Sequence, residues 1–314
     1  MIPVLLGIIV IVFTLMYITP GDPVLSILGE NATQESIDQL HEELGLDDPY
    51  FVQLGHYLLN VLHGDLGISY RSQRPVLEEI MSRYPTTLKL TFGSVGLGIV
   101  IGILFGIVSA VRQYSILDKV CTSISLFGVS APSFWIAMLL VLVFSVKLDW
   151  LPPTGSYGIK YWILPVFTMG LQASALIMRM TRSSMLEVVR QDYIRTARAK
   201  GQNEVAIVFR HAFRNALVPI VTVVGIQICG LLAGSVLVET VFALPGLGKF
   251  IVDSVGYKDF PAVQGGVLWI GLNCIVVNLI VDIIYSFIDP RIKTSYGAKK
   301  KRTSVPKRQV AKNV

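Results

Sequence analysis

The chain has 314 residues, 53% of them hydrophobic and only 15% charged, with a mean hydropathy of +0.62 and a net charge of +6. A soluble domain carries about 25% charged residues, so the composition excludes an ordinary soluble globular protein and describes a polytopic membrane protein. Cys121, Cys229 and Cys274 lie far apart in apolar runs; with neither metal-ligand spacing nor a disulfide pattern, they read as buried free thiols.

Residues 2–19 form the first apolar run. At about 1.5 Å per residue it just spans a hydrocarbon core. No Lys or Arg precedes it, and Pro20-Gly-Asp-Pro23 follows it in place of a small-x-small cleavage site. It therefore reads as a retained span and not a signal peptide. The missing basic lead-in points to a start placed slightly late or to a very short N-terminus.

Residues 20–87 are the longest polar region, with eleven acidic residues against Arg71, Arg74 and Arg83. This acidic balance places the region outside the membrane. Leu54, Tyr57, Leu58, Val61 and Leu62 have helical spacing, Gly64-Asp-Leu-Gly67 ends that helix, and Val76 to Met81 predicts another short helix before Pro85. His41, His56 and His63 lie here without metal-ligand spacing and read as surface histidines.

The second span is 88–111, in which Ser94, Gly98, Gly102, Gly106 and Ala110 recur at every fourth position. One face of that helix is smooth and allows close approach of a second backbone, which is a packing signal. The third span, 120–146, carries Pro132 in its middle, and a kink is expected there. The loop to Lys160 holds Trp150 and Pro152-Pro153, interfacial and turn residues. The fourth span is 161–178, the fifth 217–238 and the sixth 265–288, with a second sizeable outer loop over 239–264. The tail 289–314 is strongly basic and is expected to be disordered.

Between the fourth and fifth spans, residues 190–219 form a polar stretch with Gly201 in its middle. Val205, Val208, Phe209, Ala212, Phe213 and Ala216 have helical spacing, with Arg210, His211 and Arg214 opposite. Gly201-Gln202-Asn203 interrupts the pattern, so the stretch reads as helix, glycine turn, amphipathic helix. Such a basic hairpin is either a docking element or an ordinary positive-inside loop. The loops 112–119 and 179–216 and the tail 289–314 hold 2, 8 and 9 basic residues, whereas the remaining loops hold 3, 2 and 2. Both termini and the 190–219 stretch are therefore expected to be cytoplasmic.

Chemistry is sparse. Ala243-Leu-Pro-Gly-Leu-Gly-Lys249 imitates a phosphate loop but lacks its first glycine and its Ser/Thr and lies outside. No nucleophile, metal or acid/base constellation is evident, and Asp282 is the main ionisable residue within a span. Gln172, Gln227, Asn273 and Asn278 either line a polar path or bridge helices. Three of them, Gln227, Asn273 and Asn278, are taken as path residues.

Thr196-Ala-Arg-Ala-Lys-Gly201 with Arg210-His-Ala-Phe-Arg-Asn215 resembles the coupling loop of permease subunits of bacterial ATP-binding-cassette importers. The resemblance is strongest to the first permease subunit of the dipeptide/oligopeptide/nickel branch. Pro20-Gly-Asp-Pro23, Glu239 to Gly248 and Asp289-Pro-Arg-Ile292 add to it, and the likeness covers essentially the whole chain. Coupling loops of this kind read Glu-Ala-Ala, three residues, Gly, nine residues, Ile-x-Leu-Pro. Here Arg195-Thr196-Ala197 and His211-Ala-Phe-Arg214 occupy the outer positions, so the glutamate and the proline are absent. The peptide branch resembles this variant; no contact that depends on the glutamate carries over.

The resemblance implies an all-α membrane protein of the type I ABC importer fold, with six transmembrane helices and both termini cytoplasmic. Its parts would be a first helix at 1–19, an extracytoplasmic region at 20–87, a five-helix core at 88–288 and the tail. The implied function is one half of a translocation path in the bacterial cell membrane, for peptides or, alternatively, nickel or a nickel chelate. An ATP-independent channel or carrier is the other class. The implied coupling residues are Arg195, Thr196, Ala197, Arg198, Ala199, Lys200, Gly201, Glu204, His211 and Arg214. The implied partners are a homologous second permease, one or two ABC ATPase subunits that bind ATP and magnesium, an extracytoplasmic solute-binding protein and membrane lipid. No cofactor is expected in this chain itself, and no nucleic-acid partner.

Overall fold

The computed structural model describes residues 2–29 and 32–288, and among them every regular element is helical. α1 (Ile2–Ile18) is followed by α2 (Pro23–Leu28), α3 (Gln34–Leu44) and α4 (Tyr50–Leu62). Then come α5 (Val76–Val111), α6 (Ile116–Ser130) and α7 (Ser133–Leu140), the last extended by a π-helical stretch, Val141–Lys147. α8 (Ile159–Val189) and α9 (Asp192–Ala199) precede α10 (Glu204–Ala206), the π-helical stretch Ile207–Phe213 and α11 (Arg214–Gly234). α12 (Val236–Val241), α13 (Leu247–Gly256) and α14 (Phe260–Ile288) complete the described chain.

Among the described residues, four helices are long and apolar enough to cross a membrane: Val76–Val111, Ile159–Val189, Glu204–Ala233 and Phe260–Ile288. The α6–α7 pair makes a fifth if counted as one bent span. α1, with 17 residues, is a shorter apolar helix, about 26 Å long. The predicted tail 289–314 and Asp289-Pro-Arg-Ile292 lie outside the described residues.

The centre of the fold is the pairing of α5 with α8. A Cβ at Gly98 would stand 3.1 Å from the Ser174 backbone N, one at Gly102 2.8 Å from the Ser174 carbonyl O, and one at Gly106 2.9 Å from the Met178 carbonyl O. The stripe read from the sequence is therefore where two backbones touch. Ser94 serves it by size alone, since its buried hydroxyl has no hydrogen-bond partner. α5 does not stop before Pro85 as expected: Val76 and Ile80 are fully buried in a cluster with Leu247 and Ile251 of α13 and Ala262 and Val263 of α14, and this packing overrides the local break, so that Val76 to Met81 joins the span.

At Pro132 the expected kink is instead a break, with α6 and α7 meeting at 105°. Ala131 is extended (φ −76°, ψ 131°), the conformation a residue before proline favours, and Pro132 caps α7. The Gln172 side chain donates to the Ala131 carbonyl at 2.9 Å, satisfying an acceptor at the break. Gln172 is thus a bridging residue.

The side expected to be extracytoplasmic is built on buried carboxylates. Glu239 is fully buried; it accepts from Thr87 Oγ1 (2.8 Å), Ser235 Oγ (2.7 Å) and the Lys249 backbone N (2.8 Å). The resemblance to a phosphate loop has a physical basis: the N-terminus of α13 holds an anion, and the anion is the chain's own carboxylate. Gly246 and Gly248 are required because a side chain at Gly246 would collide with that carboxyl group and one at Gly248 would press on it at 3.3 Å. Asp259, also buried, caps α14 and accepts from the Tyr70 backbone N (3.0 Å), tying the 67–75 loop to the start of that helix. Burial, and after it the Asp259 charge, pushes the Tyr70 hydroxyl up to about 12. Farther out, His41 Nε2 meets Asp22 Oδ2 at 3.0 Å and clasps α3 to the start of α2. Chiefly through that bond, the His41 imidazole is raised above its ordinary value.

Candidate functional site

The 190–219 stretch folds as a helix, a turn and a second helix. α9 ends in a Schellman arrangement: Gly201 N donates to the Arg198 carbonyl (2.9 Å) and Gln202 N to the Ala197 carbonyl (3.3 Å). Gly201 has φ +75°, with nothing within 4 Å of where a Cβ would stand. Its requirement is therefore backbone handedness and not space. Asn203 then caps the second helix, its Oδ1 accepting from Val205 N at 3.0 Å. Two side-chain pairs cross the turn: Arg198 donates to Glu204 through Nε to Oε1 at 2.8 Å and Nη2 to Oε2 at 3.3 Å, and His211 Nε2 meets Gln202 Oε1 at 2.7 Å.

The second arm is not a separate hairpin helix. It runs without interruption through the π-helical stretch into α11. Each π turn takes in one more residue than an α turn, so the buried face becomes Ile207, Val208, Ala212, Ala216 and Ile220, with a step of five from Ile207 to Ala212. The 3.6-residue reading of the sequence therefore placed Val205 and Phe209 on the wrong side; they are 63% and 53% exposed. Ile207, which it left out, is fully buried. Ile194 and Ala197 of α9 pack into the same core as Met185 of α8 and Ile207, which locks α9 to both long helices. Arg195, Thr196, Arg198, Ala199, Lys200, Gly201, Glu204 and Arg214 are exposed around this platform, and His211 is half-buried at the turn.

The three predicted path residues sit in different contacts. Gln227 lines a cavity of about 500 Å³ between the 176–183 part of α8 and α11, which also reaches Thr122 of α6. Asn273 accepts from the Tyr84 hydroxyl and donates to the Trp269 carbonyl at 2.7 Å, so its amide bridges α5 and α14. Asn278 is exposed on α14. Cys229 and Cys274, unrelated in the sequence reading, face each other, each Sγ within 3.9 Å of the other's carbonyl O.

One polar cluster had no sequence signal beyond charge counting. Asp118 is 3% exposed and receives Arg182 in a bidentate pair, Nε to Oδ1 at 2.7 Å and Nη2 to Oδ2 at 2.9 Å. The Ser109 hydroxyl, Tyr114 N (2.9 Å) and the Thr122 hydroxyl (3.4 Å) donate to it as well. The 112–115 turn is thereby fastened to α6 and α8 at the cytoplasmic end expected from the charge pattern.

Comparison with known proteins gives a consistent result. Residues 102–294 match the family described as binding-protein-dependent transport system inner membrane component, and residues 1–91 match its N-terminal part. A dipeptide transport system permease protein, DppB, of Alkalihalophilus pseudofirmus is 42% identical over 321 residues, covering 93% of this chain and 96% of that protein. The glutathione transport system permease protein GsiC of Escherichia coli K12 is 42% identical over 293 residues, with the same shares covered. Among solved structures, a chain of the MetNI methionine ABC transporter in an inward-facing conformation superposes with a TM-score of 0.58 at 21% identity, covering 68% of this chain and 97% of that one. A chain of an amino acid ABC transporter with histidines gives a TM-score of 0.53 at 18% identity, covering 66% and 93%. These two likenesses bear on the fold.

Proposed function

This chain belongs to the binding-protein-dependent transport system inner membrane component family, and from that premise we propose that it is a permease subunit of a peptide-importing ABC transporter, with 190–219 as the element through which a separate ATPase drives it. The substrate class is supported by full-length similarity to a dipeptide permease and a glutathione permease. Five or six spans are too few to enclose a peptide-sized path, so a homologous second permease supplies the other half. An extracytoplasmic binding protein delivers the peptide, and ATP is bound and hydrolysed on the ATPase subunits.

The observation that carries the coupling reading is the continuous backbone from Glu204 to Gly234 with α9 packed against its base. Force applied to α9 reaches α8 through Met185 and α11 through Ile207 and Ala212 without crossing a flexible joint. The exposed Val205 and Phe209, together with the exposed Arg195 and Lys200, give an ATPase groove both apolar and basic groups to hold. Closure of two ATPases would then rock α8 and α11, alternately opening the path inward and outward. The test is co-purification of the ATPase with the assembled transporter. Gly201→Pro, or Arg198→Glu with Lys200→Glu, is expected to reduce ATPase association while membrane insertion is retained. Normal association of both variants would overturn the docking assignment.

A further inference from the structure

We propose that the α8–α11 cavity is a binding station for the free α-carboxylate of a peptide in transit, received by Arg179; the proposal rests on the peptide-permease reading above. Arg179 and Arg182 lie one turn apart on α8, and both line the cavity. Their electrostatic situations differ. Arg182 has a built-in counterion, Asp118, that takes its guanidinium fork in two hydrogen bonds. Arg179 is exposed, with neither an ion-pair nor a hydrogen-bond partner among the described residues. Arg182 is thus neutralised within the fold, whereas the guanidinium fork of Arg179 is free to take a carboxylate from another molecule.

A positive charge at the inner end of a span serves topology wherever it lies on the helix surface. Arg179 is placed more narrowly, on the wall of a cavity that also presents the Gln227 amide from α11; Thr122 of α6 lines it too, with its hydroxyl donating to Asp118 Oδ1 at 3.4 Å. Polar groups from α8 and α11 thus share the wall of one cavity. The rest of the wall is apolar and includes Met178 and Met180. Methionine adapts to many shapes, which suits a ligand whose side chains vary. What every peptide shares is its backbone amide and terminal carboxylate. The Gln227 amide matches the first, and the guanidinium fork of Arg179 matches the second in planar bidentate geometry.

Ser183, exposed on the same cavity wall one turn from Arg179, is the place for a reporter. The chain carrying Ser183→Cys is assembled with its partner subunits in proteoliposomes and modified with a charged maleimide. Labelling of the parent chain supplies the background from the native cysteines. Millimolar Ala-Ala is expected to slow modification of the introduced cysteine, whereas Ala-Ala amide, which lacks the carboxylate, is not. In Arg179→Gln the protecting concentration should rise roughly tenfold, the size of one charged hydrogen bond lost. Arg179→Lys, which keeps the charge without the fork, should recover part of the protection. Equal protection by the two peptides, protection that survives Arg179→Gln, or slowing by anionic lipid in place of peptide would overturn the proposal. ATP-driven Ala-Ala uptake by the unmutated complex is measured in parallel. Its absence would sink the peptide reading itself, whereas uptake without protection at position 183 would sink only the station.

Discussion

Replacing Gly102 with alanine adds one methyl group where α5 and α8 touch. In the structure that carbon would stand 2.8 Å from both the Ser174 carbonyl O and the Ile177 Cβ, about 0.6 Å inside ordinary contact. Neither neighbour can swing away, because one is backbone and the other is a branch carbon fixed to it. The two helices must separate locally, and the contacts at Gly98 and Gly106 loosen with them. Overpacking of this kind costs about 1–3 kcal/mol, against which alanine regains up to about 1 kcal/mol of helix propensity. A net destabilisation of about 1–2 kcal/mol is expected, or a fall of a few degrees in unfolding temperature for a chain of this size. Gly96→Ala is the matched control, since Gly96 is exposed on the same helix with nothing within 4 Å of its would-be Cβ. It receives the propensity gain alone and should be neutral or slightly stabilising. Thermal unfolding of the purified complex, with both variants run side by side, is the assay. An equal fall in both, or no change in Gly102→Ala, would refute the close-seam argument.

Asp118→Asn leaves Arg182 without its counterion and should destabilise the cytoplasmic end more than the double change Asp118→Asn with Arg182→Met, which removes both charges; proteolysis within the 112–115 turn reports it, and equal sensitivity of the two variants would count against a paired role. The His41–Asp22 clasp gives a pH dependence of definite sign. Because the folded state raises the His41 pKa, the clasp contributes fully below the ordinary histidine value of 6.5 and is lost as pH rises through the higher folded value. Cleavage of the 20–50 segment by an added protease should therefore increase from about pH 6 to about pH 8; the same rise in His41→Gln would show that another group is responsible.

Much of the architecture follows from local sequence signals. The repeat Ser94, Gly98, Gly102, Gly106 marks a helix seam because only small residues allow backbones within contact distance. Gly201 was legible as a turn because a left-handed residue in a helix terminus selects glycine. What escaped depends on partners remote in sequence or on a change of helical period. α3 is an exception, legible locally from its caps, Thr33 at its start and left-handed Gly45 at its end, and from Ile37, Leu40 and Leu44 at helical spacing. The π-helical stretch after Ala206 moved the buried face by a residue, which no 3.6-residue template detects. Glu239 and Asp118 read as loop charges because their partners, Thr87 and Arg182, are far away in the chain. Asn273 and Gln227 looked alike as polar residues in spans, and only packing distinguishes the amide that bridges helices from the one that lines a cavity.

The central claim is that this chain conducts peptides only when an ATPase moves it through the 190–219 element. It is tested most directly by reconstituting the chain with its second permease, ATPase subunits and binding protein in liposomes and measuring accumulation of a labelled dipeptide. The account predicts accumulation that requires ATP and that is abolished by Gly201→Pro in this chain. Dipeptide entry that continues without ATP, or without the ATPase subunits, would contradict it.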